Sequence, residues 1–367
     1  MKKILAILLI AVMLLSLAAC SEPEYEPVPS TEEEAEVVMT LELDGKSYDV
    51  KYELYRAFFL TYKDEVTGGN DTLLSGDGNA LYISEINELV LDRIAAIYSV
   101  FAVCERIGYD LYSKSVDKLI DKHIRESIEG GSGAVGYGSY EKYLEALTAM
   151  NLNYSVQTLL YRYAIGLDAI DNHYIGTFSA DDIGDTIVIG ELTYTREDVL
   201  DYYFSDACLR MLRAHIQHDA YYDPMEYAAT VKERMEEAAL IGESSVASVI
   251  INTGLTAPTE VQRGYVIGRY SLDPLYYEEL TDAAFDLDVG EVSDPIIIHN
   301  GNDKIIFIVY NAQKSNEHFD ECYSEIAYVY LTDSVGKIMD EAKNSLEDSV
   351  SYTDAYRAID HASIRMN

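Results

Sequence analysis

Tryptophan is absent from this chain of 367 residues, cysteine occurs four times, and lysine and arginine together number 27 against 64 aspartates and glutamates. Each shortage excludes something. At a formal charge of −37 there is no basic footprint for a phosphate backbone, so nucleic acid is ruled out as a partner. The same charge repels anionic headgroups and favours solubility. Cys104, Cys208 and Cys322 are far apart and form neither a CxxC nor a zinc spacing, which argues against a disulfide framework and against a bound metal. Cys104 falls on the apolar stripe of a predicted helix, where a thiol serves as a small core hydrophobe. No Ser/His/Asp order or paired-carboxylate spacing stands out. Gly130 to Gly138 lacks the Lys-Ser/Thr ending of a phosphate loop and follows no strand, so it reads as a flexible connector, and no cofactor is expected. The abundant residue is tyrosine, 32 copies beside 8 phenylalanines. Aromatic surface here carries hydroxyls.

At the amino terminus Lys2 and Lys3 precede an apolar run from Ile4 to Leu17, which ends in Leu17-Ala18-Ala19-Cys20. The run is short for a bilayer span and suits a secretory leader with a small-residue cleavage site. It resembles the lipobox of bacterial lipoproteins. That resemblance implies a leader over residues 1–19, lipidation of Cys20, and lasting attachment through two or more acyl chains. An ordinary signal peptide with an incidental cysteine is the competing reading. Residues 20–36, with Pro23, Pro27, Pro29 and the Glu32-Glu33-Glu34 run, have too few apolar groups to fold and read as a disordered tether. The expectation is an extracytoplasmic protein that meets the membrane through its lipid alone.

Met39 to Val50 is β-like with a turn at Asp44-Gly45, and Glu53 to Tyr62 is helical in pattern. Ile86, Val90, Ile94, Ile97, Phe101 and Cys104 recur at helical spacing, and Gly108 stops that helix. Val116, Leu119, Ile120, Ile124 and Ile128 mark a second helix with Ser113 or Ser115 as N-cap. Helices continue over Tyr140 to Met150 and Tyr154 to Ile170. Ile187 to Tyr194 then alternates like a strand before a helix over Glu197 to Phe204. There Gly190, Tyr194, Val199, Tyr203 and Phe204 echo Gly45, Tyr48, Leu54, Phe58 and Phe59.

The second half is α/β in texture. Leu212 to His218 and Gly264 to Tyr270 are predicted strands, and Tyr227 to Ile241 and Tyr276 to Phe285 predicted helices. Ile296-Ile297-Ile298 and Ile305 to Tyr310, joined through His299-Asn300-Gly301-Asn302, predict a hairpin, with Pro295 at the start of an edge strand. After Lys314 the chain reads as helical to its end.

Several stretches resemble the extracytoplasmic foldases of the PrsA and SurA group. In the first half the resemblance lies in Arg106-Ile107-Gly108-Tyr109, Ser115-Val116-Asp117, Tyr140 with Leu147, and Asn151-Leu152. In the second, Arg213-Ala214-His215-Ile216 is similar to the strand that opens a parvulin domain. Gly264-Tyr265-Val266-Ile267-Gly268 stands where the family has GGDLG. Ala283 to Pro295 is similar to the family's AAF-x-L-x-x-GEVS-x-P. The resemblance implies an α+β protein. A helical SurA- or trigger-factor-like chaperone module would cover residues 37–205. A parvulin-like peptidyl-prolyl isomerase domain, a four-stranded antiparallel sheet with surrounding helices, would cover 206–314, and a helical tail over 315–367 would pack on the first module.

A parvulin turns an Xaa-Pro bond whose barrier, about 20 kcal/mol, comes from amide resonance, so a dry pocket and placed dipoles suffice. Carried over position by position, the resemblance puts the first histidine at His215, the thiol-or-acid at Glu260, and the proline pocket at Tyr276 and Leu280. The second histidine is replaced at Asp303 or Lys304, with His299 across the turn. A histidine satisfied by neighbouring backbone is the competing reading of His215. His215 and His218, three apart on a strand, face opposite ways and cannot share a metal. The function implied is an anchored chaperone that binds unfolded or newly secreted polypeptides and assists proline isomerisation weakly. A fully active isomerase, and a ligand-binding or assembly lipoprotein reusing the fold, are the alternatives.

Overall fold

The computed structural model describes residues 25–365 apart from 76–77, 131–134, 177–185, 190–191, 218–222, 254–255, 271–277 and 301–302. Cys20 with its leader, His218 and Tyr276 lie outside the described residues. The chain divides into two compact units. One comprises residues 25–101, 110–166 and 345–365, the other 102–109 and 167–344.

In the first unit β1 (Val37–Leu43) and β2 (Lys46–Lys51) form an antiparallel hairpin. Its two-residue turn, Asp44-Gly45, has φ of 55° and 76°, the doubly positive geometry that matches strand twist in tight hairpins. Helix α1 (Tyr52–Thr67) starts directly after β2. In α2 (Asn79–Arg106) the residues Ile86, Val90, Ile94 and Ile97 are all fully buried, as their spacing requires. Helix α3 (Lys114–Glu129) buries Val116, Ile120, Ile124 and Ile128 while leaving Leu119 exposed. Ser113 is its N-cap residue, although its hydroxyl meets Ser115 and not the helix amides. Helices α4 (Tyr140–Ala149) and α5 (Tyr154–Tyr174) follow.

Residues 25–36 are not a loose tether. Thr31 and Glu34 exchange hydrogen bonds in a capping box, and the Glu34 carboxylate accepts from Arg56 Nη2 at 2.6 Å. The amides of Tyr52 and Glu53, at the start of α1, donate to the carbonyls of Glu36 and Glu34. An acidic segment that would otherwise repel itself is thus held by a buried guanidinium and by helix amides that need acceptors.

In the second unit β3 (Thr186–Ile189) and β4 (Leu192–Thr195) pair antiparallel and lead into α6 (Arg196–Phe204), capped reciprocally by Thr195 and Asp198. Strand β5 (Cys208–Gln217) is followed by α7 (Pro224–Ala239), α8 (Glu243–Asn252) and α9 (Pro258–Arg263). Then come β6 (Tyr265–Gly268), α10 (Glu278–Phe285), β7 (Ile296–Asn300), β8 (Asp303–Asn311), α11 (Asn316–Glu321) and α12 (Tyr323–Asp348). The four strands form one antiparallel sheet in the order β6-β5-β8-β7. Leu212, Ala214, Ile216, Ile306 and Ile308 face α7, α8 and α9, while Leu209, Met211, Phe307 and Val309 share the other face with Leu280 and Ala284 of α10. Period-two alternation along β5 and β8 therefore builds two apolar layers from one sheet.

The stretch from Leu287 to Pro295 completes the sheet's hydrogen bonding. Gly290 and Ser293 donate their amides to Asn311 and Val309, Asn311 donates back to Glu291, and Val292 bridges Tyr310.

The tail departs from an all-helical reading. Strand β9 (Ser351–Tyr352) pairs with β1 in the first unit, giving the order β2-β1-β9, and α13 (Asp354–Arg357) follows. Ser351, Tyr352 and Thr353 are poor helix formers, and the free edge of β1 offers them partners. Tyr356 and His361 then meet Tyr55 edge to face, at 5.6 and 6.1 Å between ring centroids. The fold is α+β with antiparallel sheets. Among the described residues no helix is long and apolar enough to cross a membrane.

Candidate functional site

His215 lies in β5 opposite Phe307 of β8, with its ring 5.2 Å from the phenylalanine centroid. Arg213, two residues earlier on the same face, stacks its guanidinium 4.8 Å from the Phe307 ring and 4.3 Å from that of Tyr265. The Tyr265 hydroxyl donates to Glu260 Oε2 at 2.9 Å. Among the described residues, His215 and Glu260 are linked through Arg213, Phe307 and Tyr265. Partial burial, reinforced by the Arg213 charge, lowers the His215 pKa and keeps the imidazole neutral. Burial raises the Tyr265 hydroxyl, and its bond to Glu260 adds to that against the pull of Arg213. Leu280 is completely buried between α10 and the sheet. His299 and Lys304 are register partners near the β7–β8 turn, where Asn300 pairs with Asp303.

A different histidine is the better connected one. His318, on α11, accepts or donates at both ring nitrogens: Nε2 meets the Arg263 carbonyl at 2.7 Å and Nδ1 meets the Tyr203 hydroxyl at 2.8 Å. A carbonyl only accepts, so Nε2 carries the proton and Nδ1 receives the tyrosine O–H. Beside it Arg210, which is 6% exposed, reaches both oxygens of Glu243 at 2.7 and 2.9 Å and donates to the carbonyls of Gln313 and Arg263. Burial lowers the His318 pKa, and the Arg210 charge lowers it further. These groups border a cleft of about 560 Å³ that also includes Arg263, Glu317 and Glu321. Sequence reasoning passed over His318 because its partners come from α6, β5 and the end of α9. Only the fold brings them together.

A second buried polar group centres on Asp333 of α12. Its carboxylate accepts the Tyr270 amide, and burial, only partly offset by that bond, pushes its pKa up to about 6. Gly268 makes the room, since a Cβ there would collide with both Asp333 and the Tyr202 hydroxyl. Lys314 donates to the carbonyls of Ser205 and Cys208, and burial lowers its pKa. Burial likewise pushes the Cys208 thiol up to about 12, leaving no reactive thiolate.

The first unit contains the more apolar cavity, about 580 Å³. Leu54, Tyr98, Tyr112, Ile120, Tyr154, Val156 and Leu159 supply its apolar lining, with Asp49, Lys51, Asp117, Asp121 and Arg162 at the polar positions. Arg162 is held by Asp117 at 2.6 Å and packs 4.9 Å from the Tyr112 ring. Glu53, also lining the cavity and 3% exposed, accepts from Ser30 Oγ, Asn153 Nδ2 and Ser155 Oγ at 2.6 to 2.8 Å. Tyr98 donates its hydroxyl to the Asp49 carbonyl at 3.0 Å. Each tyrosine here offers a ring to the cavity, a surface suited to side chains of varied shape. Among the described residues no group of three or more His, Cys, Asp or Glu side chains is arranged to hold a metal ion.

No family model matches the chain, and no curated protein matches it. Among solved structures it is similar to the foldase protein PrsA of Lactococcus lactis, with 15% identity, covering 90% of this chain and 99% of that one at a TM-score of 0.24. PrsA of Streptococcus pneumoniae aligns at 14% identity over 86% of this chain and 96% of that chain, TM-score 0.26. PrsA of Bacillus subtilis aligns at 14% identity over 86% and 93%, TM-score 0.23.

Proposed function

We propose that this protein is an extracytoplasmic foldase that acts chiefly as a chaperone, binding unfolded or newly secreted polypeptides, and that lipid on Cys20 anchors it to the cell membrane. The observation that carries the reading is the tyrosine- and leucine-lined cavity of about 580 Å³ in the first unit. Apolar and aromatic walls with few fixed polar demands accept many side chains. The resemblance read from residues 206–314 makes the antiparallel sheet domain the parvulin-like part, and the lipobox resemblance supports the anchor.

One observation favours a weak isomerase activity as a second reading. Arg213, Phe307 and the neutral His215 form a cationic and aromatic strip on one sheet face, where a twisted Xaa-Pro amide would find fixed dipoles. Against strong activity, Leu280 is sealed in the core and Glu260 is engaged with Tyr265. The test measures suppression of client aggregation and cis/trans isomerisation of an Xaa-Pro peptide in parallel, for wild type and His215→Ala. Suppression intact in both proteins, with slow isomerisation that falls further in the variant, is the expected pattern. Absent suppression would sink the chaperone reading, and isomerisation indifferent to the alanine would remove His215 from any site.

A further inference from the structure

The cavity of the first unit is partly covered by the chain's own residues Tyr25 to Ser30, of sequence Tyr-Glu-Pro-Val-Pro-Ser. This strap is fastened at its two ends. At one, the Tyr25 ring lies 5.2 Å from that of Tyr140, its hydroxyl donates to Glu129 Oε1 at 3.2 Å, and the Tyr140 hydroxyl donates to the Glu26 carbonyl at 2.7 Å. At the other, Ser30 Oγ donates to the buried Glu53 at 2.6 Å. Between them Pro27, Val28 and Pro29 border the cavity yet stay exposed on their outer side, with Val28 45% exposed. Two prolines within three residues hold the backbone extended and remove two amide donors, so the strap cannot pair into a sheet. Among the described residues, no backbone hydrogen bond holds its middle.

A short extended piece of polypeptide, aromatic at one end and proline-rich in the middle, is thus already seated on the surface assigned above to unfolded chains. We propose that Tyr25–Ser30 is a built-in competitor for that groove, and that an incoming extended polypeptide with aromatic, proline and aliphatic side chains displaces it. The inference rests on the polypeptide-binding reading. The charged lining, Asp49, Glu53, Asp117 and Asp121 against Lys51 and Arg162, is acidic on balance and adds a preference for a segment carrying lysine or arginine. A tethered competitor lowers the apparent affinity by the fraction of time it occupies the groove, so loosening it must tighten binding in trans.

The experiment uses the full chain and a fluorescein-labelled peptide, Tyr-Lys-Pro-Val-Pro-Ser, followed by anisotropy. Tyr140→Phe with Ser30→Ala removes one fastening hydroxyl at each end while keeping the Tyr25–Tyr140 ring contact and the two other donors to Glu53. Peptide affinity should rise by roughly tenfold with an unchanged Tm. In the wild type, peptide addition should raise the mobility of a nitroxide spin label attached at the exposed position 28. Unchanged or weaker peptide binding in the double variant overturns the strap, as does a gain in self-association with no gain in peptide affinity. Aggregation suppression measured on the same samples separates the two ideas: suppression with unchanged peptide affinity leaves the chaperone standing and removes the strap, whereas loss of suppression in wild type and variant alike removes the chaperone.

Discussion

The second unit's cleft is bordered by titratable groups in closed arrangements, while the first unit's cavity is walled largely by aromatic and aliphatic residues. In the second, His318 is bonded at both ring nitrogens, and Arg210 is saturated by Glu243 and two carbonyls. In the first, Leu54, Tyr98, Tyr112 and Leu159 line a cavity bordered by an exposed strap. Buried ionisable groups that are fully bonded stiffen a structure, because breaking one bond strands a charge. A cavity whose walls are rings and aliphatic chains makes few such demands and can exchange occupants. On the proposed reading, the surface able to exchange occupants is the cavity of the first unit and not the strand that carries His215.

The most damaging test of that contrast is Arg210→Met. It removes the buried guanidinium that binds the carbonyls of Gln313 and Arg263 and leaves Glu243, about a third exposed, without its partner, so thermal unfolding of the full chain should show a loss of about 1–3 kcal/mol. A loss below about 1 kcal/mol would mean that the cluster is not the fastening described here.

Asp333→Asn should act in the opposite direction. The Asp333 pKa is raised to about 6 from an unfolded value near 3.8, so its contribution to stability is fully present below pH ~3.8 and lost as pH rises through about 6. Asparagine keeps an acceptor for the Tyr270 amide and carries no charge. The variant should therefore be more stable than wild type by about 2 kcal/mol at pH 8 and equal to it near pH 3.5, judged by urea midpoints. His318 has the reverse sign: its folded pKa is lowered, so its contribution is present at neutral pH and lost as pH falls below the unfolded value near 6.5. His318→Gln should flatten that acid limb.

Within the first unit, Tyr112→Ser removes a ring that is 65% exposed and lines the cavity. Aggregation suppression should weaken by roughly threefold to tenfold, with the Tm nearly unchanged. The smallest effect is expected from His215→Ala, within about 0.5 kcal/mol in stability and without effect on suppression.

Much of this architecture was legible in the residues. The α2 stripe from Ile86 to Ile97, the Asp44-Gly45 turn and the Ile296–Tyr310 hairpin follow from periodicity and turn chemistry, and all three are present. Other elements depend on tertiary context. Helix α8 contains three serines and four β-branched residues, a composition with weak helical preference, and it is held by burying Val246 and Ile250 against the sheet. Strand β9 exists because β1 has a free edge some 310 residues earlier in the chain. The order of residues 25–36 required knowing that Arg56 and the first amides of α1 would receive Glu34 and Glu36. The cavity has no motif, since its lining comes from β2, four helices and the strap.

Site-specific photocrosslinking to an unfolded client tests the central claim most directly. A photoreactive residue is placed at Tyr112, beside the cavity, or at His215, on the sheet face. Client adducts should form chiefly from position 112, and should increase when Tyr140→Phe and Ser30→Ala loosen the strap. Adducts from position 215 with none from position 112 would contradict the account and move the polypeptide-binding site to the sheet.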